Sequence, residues 1–191
     1  MIEAVLKDIA GFGARYAPSA CIVAGGAVLL SGLVMLYLKK GFVLSLEVEE
    51  SVSGKNCVKK LLWIFFLAAY IYIVIGITIL SRSESGTRWA SFKLFRTFRN
   101  TFSARKQIYE NVLMFVPYAV LLYGLAKPFR RWWVALLMGA GSSFFIEVTQ
   151  WVTRTGYFEV DDILTNTIGM MLGYLMCRII EKVYKWIKKT P

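Results

Sequence analysis

Between residues 139 and 174 the chain reads GAGSSFFIEVTQWVTRTGYFEVDDILTNTIGMMLGY, an apolar stretch broken by carboxylates, amides and one arginine. At ~100° per residue, Gly139, Ser143, Glu147, Gln150 and Arg154 share one stripe of a helix. Asp162, Asn166, Gly169 and Gly173 share a narrow stripe of the next. Carboxylates and amides recognise hydroxyl and N–H groups, and a guanidinium grips phosphate through two parallel hydrogen bonds. The chain has no histidine, so the commonest base and metal ligand is missing. Ser142, Ser143 and Thr149 have no histidine or lysine near in sequence, and no nucleophile with its own base emerges. No metal site is assigned and no cofactor is indicated; the oxygen-only set would suit Mg²⁺ if any ion. Cys21, Cys57 and Cys177 lack metal-binding spacing and are expected to be small buried side chains.

The elements that must position these residues follow from hydropathy. Hydrophobic residues make up 57% of the 191 residues and charged ones 18%. Ala17 to Leu38 is free of charge, and so is Leu61 to Leu80. Each matches the ~20 residues that cross a ~30 Å hydrocarbon layer at ~1.5 Å per residue. A third span is expected from Asn111 to Ala126, kinked at Pro117. The fourth runs from Trp132 to Val152, with Trp132, Trp133 and Trp151 at the two interfaces. The fifth runs from Ile163 to about Ile180, with Arg178 snorkelling outward. Apolar residues Ile2, Val5, Leu6 and Ile9 predict a short interfacial helix over 1–16, followed by a retained first span rather than a cleaved signal. Phe92, Phe95, Phe98 and Phe102, interleaved with Lys93, Arg96 and Arg99, predict a second one over 89–106.

The expected fold is therefore all-α: a polytopic membrane helix bundle of about five transmembrane helices plus interfacial amphipathic helices. Residues 1–60 would hold the amphipathic helix, the first span and a basic loop. Residues 61–180 would form a four-helix membrane domain, and 181–191 a basic tail. The net charge of +11 sits between apolar blocks, which points to anionic lipid and away from nucleic acid. Five spans divide Lys and Arg as 13 against 10. The richer side holds the 39–60 loop, the 127–131 loop and the C-terminus, so these are expected in the cytoplasm and the 153–162 loop outside.

Glu147 lies roughly 7 Å inside its helix end, where an unpaired charge costs at least ~2.5 kcal/mol. Arg154, two turns on, is expected either to be its partner or to share a ligand with it. The two polar stripes are expected to face each other, brought close by Gly169 and Gly173. Asp162 is expected to cap its helix if taken alone, and Asp161 to lie in a solvated loop.

At these positions the chain resembles the VanZ-like family of bacterial membrane proteins. The resemblance is carried by Glu147-x-x-Gln150 with Arg154, and by Glu159-x-x-Asp162-x-x-x-Asn166-Thr167-x-Gly169 with Gly173. Upstream, Asn111-Val-Leu-Met-Phe-Val-Pro117 is similar to the family's Asn…Phe-x-Pro helix entry. Ala119 stands where many relatives carry Gly, and Glu159 where many carry Asp. The resemblance spans residues 63–180. It implies a link to low-level glycopeptide resistance, teicoplanin above all.

One expected function is binding of an anionic lipid-linked cell-wall precursor, or a lipid headgroup, at the outer leaflet. Arg154, Arg82 and Arg105 would hold phosphate, while Glu147, Gln150, Asp162 and Asn166 meet hydroxyls or amides, with Asn111 beside them. The alternatives are an intramembrane enzyme with Glu147 as base, or an assembly partner of cell-wall machinery in which the cluster only locks helices. No inverted repeat suggests a transporter.

Overall fold

A segment crossing hydrocarbon must satisfy its own backbone N–H and C=O groups, and long apolar runs therefore become helices. The computed structural model describes residues 2–42, 54–82, 89–95 and 101–189. Five helices follow in order: α1 (Ile2–Phe42), α2 (Gly54–Ile75), α3 (Phe102–Leu125), α4 (Trp132–Thr153) and α5 (Val160–Ile187). Two short strands, β1 (Ala90–Ser91) and β2 (Phe158–Glu159), pair in parallel. Among the described residues four segments are long and apolar enough to cross a membrane: Lys60–Leu80, α3, α4 and α5. Ala17–Leu29 of α1 is a shorter apolar stretch, and the side chains of 30–42 lie outside the described residues. The architecture is an all-α membrane bundle; Cys21, expected to be buried, is exposed on α1, and Cys177 is half-buried.

The stretch over 1–16 is not a separate helix. It continues unbroken through Pro18 into the first apolar run as α1. The Asp8 carboxylate lies 2.5 Å from Lys106 Nζ of α3, and Val5, Ala20 and Ala24 are buried along a helix whose main neighbour is α2. Helix α2 ends in a π-turn over Gly76–Leu80, closed by Ser81 N–H donating to the Gly76 carbonyl at 2.9 Å. Such turns loosen the regular ladder by one residue.

The expected interfacial helix over 89–106 does not form over residues 89–95, and residues 102–106 belong to α3. Trp89 precedes β1, a turn follows, Phe95 adopts φ 64°, and α3 starts at Phe102. Residues 96–100, with Arg96, Phe98 and Arg99, lie outside the described residues. Two tertiary partners outweigh the amphipathic spacing here. Ala90 and Ser91 pair with Phe158 and Glu159, and the Phe95 N–H is held by Asp161 Oδ1 at 2.7 Å. The Thr101 hydroxyl then caps α3 by accepting from Ala104 N–H at 3.3 Å. Helix α3 runs through Pro117 to Leu125 without interruption.

The core lies where α3, α4 and α5 meet, around Phe115, Ala119, Leu122, Tyr123, Ala135, Met170 and Tyr174. Small residues set the spacing, but not in the expected pairs. Gly139 of α4 admits Met170 of α5, whose Cβ would stand 2.8 Å from a methyl group at 139. Gly169 and Gly173 do not face α4. They lie against the Val112 and Val116 carbonyls of α3, and a Cβ at Gly173 would fall 2.6 Å from the Val116 oxygen. Rigid backbone on the far side makes these two positions intolerant of side chains.

At the opposite end of the bundle the Tyr123 hydroxyl donates to Glu181, which also gathers Lys185 at 2.6 Å and Arg178 at 3.7 Å. Gly169→Leu is expected to destabilise the protein by ~1–3 kcal/mol through overpacking against α3. Gly141→Leu, whose Cβ would meet nothing within 4 Å, should be near neutral. Thermal unfolding of both variants in detergent, with equal melting temperatures as the contrary result, checks this.

Candidate functional site

Helices α2 and α4 end where α3 and α5 begin, and the polar stripes come together at that end. Glu147, in the last two turns of α4, is only 2% exposed. Its Oε2 accepts the backbone N–H of Glu159 at 2.9 Å, because β2 crosses directly over it. Gln150, one turn on, donates from Nε2 to the Thr78 carbonyl at 2.8 Å. That carbonyl lies within the π-turn of the second span. Helix α4 then stops at Arg154, whose left-handed conformation (φ 58°, ψ 23°) turns the chain away. The Gln150 carbonyl collects the N–H groups of Thr155 at 3.0 Å and Gly156 at 3.3 Å.

From α5, Asp162 accepts both hydrogen bonds of the Gln107 amide, at 3.0 and 3.1 Å. Asn111 of α3 donates to Thr165 Oγ1 at 3.1 Å. Asn166, one turn deeper, donates from Nδ2 to Ser143 Oγ at 2.8 Å, joining α5 to α4. Among the described residues its Oδ1 has no hydrogen-bond partner. Arg82 stands at the exposed rim: a methyl group at Gly156 would lie 3.0 Å from its Nη1 and 3.2 Å from Gln150 Oε1. The Arg82 charge is within electrostatic reach of both Glu147 and Asp162.

Most of the residues singled out by spacing therefore gather in one place: Glu147, Gln150, Asp162, Asn166, Asn111, Ser143 and Arg82. Three expectations need correction. Glu147 is held by the Glu159 backbone, and the cation that approaches it is Arg82; Arg154 sits on the exposed rim as the helix terminator. Asp162 does not cap α5 but reaches across to α3. Asp161 is not solvated: it is 2% exposed and secures Phe95.

Gln107 and Thr165 went unnoticed in the sequence. Gln107 lies four residues before Asn111, hence on the same helical face, and that was the available signal. Among the described residues no group of three or more acidic, cysteine or histidine side chains is arranged to hold a metal ion. Chemically the arrangement is a floor of carboxylates already met by N–H donors, with a guanidinium at its rim.

Removing the Gln107 amide takes both of these hydrogen bonds from the buried Asp162 carboxylate. Gln107→Ala should cost ~1.5–3 kcal/mol, the worth of a hydrogen bond to a charged group. A double-mutant cycle with Asp162→Ala, followed by unfolding in detergent, should return a coupling of at least ~1 kcal/mol. Additive losses would mean that the contact carries no energy.

A family model described as VanZ/LLP1 matches residues 61–181, which run from α2 into the last turns of α5 and contain every residue of the cluster. No curated protein and no solved structure matches the chain. With the match covering well over half of its length, and with its apolar helices, this chain is a membrane protein that belongs to the VanZ/LLP1 family.

Proposed function

We propose that the polar end of the bundle binds the headgroup of an anionic lipid-linked molecule, a cell-wall precursor being the best fit to the resistance-linked family. In this reading the chain is multi-pass in the cell membrane, the C-terminus is cytoplasmic and the cluster opens to the outer leaflet. The observation that carries it is the position of Arg82. Its guanidinium stands exposed at the rim, beside Gly156 and Gln150, above carboxylates that have their own donors. It is not the donor on which those carboxylates depend, and a guanidinium so placed suits a phosphate. Arg154, also exposed and on the same rim, supplies a second charge. Lipid attachment brings such a headgroup to this depth without the protein reaching into water.

A structural role is the second reading, favoured by the number of internal hydrogen bonds. Gln107–Asp162, Asn111–Thr165, Asn166–Ser143 and Gln150–Thr78 together tie α2, α3, α4 and α5. The two readings separate on the rim arginines. Under headgroup binding, Arg82→Ala and Arg154→Ala lower affinity for anionic lipid by ~10- to 100-fold each, as loss of ~1.5–3 kcal/mol implies. They abolish teicoplanin resistance at unchanged membrane abundance and melting temperature. Wild-type resistance in both variants would reject the proposal, and a loss that tracks melting temperature would favour the structural role.

A further inference from the structure

Helix α4 leans on α5 and meets α3 only lightly, which leaves a cleft of about 410 Å³ between α2, α3 and α4. This volume falls within the ~300–1,000 Å³ typical of ligand pockets. Ile71, Met114, Leu137 and Phe145 are among the residues of its apolar wall. The polar groups that reach it are already occupied: Tyr70 donates to the Met114 carbonyl, and the Tyr118 and Ser142 hydroxyls share a hydrogen bond of 3.1 Å. Nothing in the cleft asks for a polar ligand. Ile71, Leu137 and Phe145 are exposed at its border, so it opens sideways into the layer that the spans cross.

Its upper end is continuous with the polar cluster. Ser142 and Ile146 line the cleft, while the next residues along α4, Ser143 and Glu147, belong to the cluster. On α2, Val74 lines the cleft and its carbonyl accepts from Thr78, the residue that receives Gln150. An apolar slot open to lipid and capped by a polar site has the shape demanded by an amphiphile.

We infer that the cleft between α2, α3 and α4 receives one hydrocarbon chain of a membrane lipid whose headgroup lies at the Arg82–Gln150 rim. The headgroup half of this assignment rests on the function proposed above. The chain half rests on the cleft. Gly141 lines it and has open space where a side chain would grow, so a bulky residue there fills the slot without reaching the polar cluster.

The full chain in vesicles of phosphatidylglycerol and phosphatidylcholine tests this, with a diazirine placed in one acyl chain of either lipid and adducts located by mass spectrometry. Adducts from the phosphatidylglycerol probe are expected to concentrate on the α4 segment 137–146. They should fall about tenfold in Gly141→Phe and again in Leu137→Trp, which narrows the border instead. Each variant is compared at wild-type melting temperature, so that one misfolded variant leaves the other to decide. Cleft labelling that is equal for both lipids and unmoved by Arg82→Ala would retain the chain slot and reject the anionic headgroup. Labelling spread evenly over all lipid-facing helices, and unchanged by both variants, would overturn the cleft assignment.

Discussion

A carboxylate buried at the end of a membrane bundle has no water to solvate it, so some other segment must bring it a donor or the segment cannot stay. Three such groups stand together here. Glu147 and Asp161 are 2% exposed and Asp162 9%. Their donors come from three separate parts of the chain: the Glu159 backbone, the Phe95 backbone and the Gln107 side chain. Satisfying the acids therefore determines where β2, the turn after β1 and the start of α3 must lie. The parallel pairing of Ala90 and Ser91 with Phe158 and Glu159 follows as the backbone solution that holds both loops in place.

Close approach of α3 and α5 is the second condition for this arrangement. Gln107 reaches Asp162, and Asn111 reaches Thr165, because the two helices nearly touch at Gly169 and Gly173. In hydrocarbon, helices gain little from exchanging lipid for another apolar surface, so packing and interhelical hydrogen bonds must hold them. The glycines supply the first, and the Gln107 and Asn111 amide hydrogen bonds the second. Gly139 performs the same service for α4 against Met170, and Asn166 to Ser143 provides the matching polar link.

The fold was legible because length and hydropathy specify a span almost completely. Trp132 to Val152 was read within a residue of α4, and Pro117 misled little because an intramembrane proline is accommodated. The site was legible as a set of residues, since polar side chains in apolar helices stand out by period alone. Their pairing was not. Helical stripes state which residues share a face but not which neighbour that face meets, and Gly169 and Gly173 went to α3 instead of α4. The donors that settle Glu147 and Asp161 are backbone N–H groups, which have no sequence signature. The absence of a helix over residues 89–95 has the same origin: amphipathic spacing is a local preference, and Asp161 offered Phe95 a hydrogen bond.

These donors also define what any ligand reaching beneath the rim must displace. Glu147 and Asp161 each accept a backbone N–H, from Glu159 and Phe95, and both donors lie on the short segments joined by the β1–β2 pair. A ligand hydroxyl that replaced either N–H would have to move that pair, and moving it would loosen the other carboxylate as well. Asp162 differs, because its donor stands on the rigid start of α3. Asp162 still neighbours Glu147 closely enough for the two charges to interact, so the floor is one electrostatic unit held by donors from separate segments, with the Arg82 guanidinium exposed at its rim.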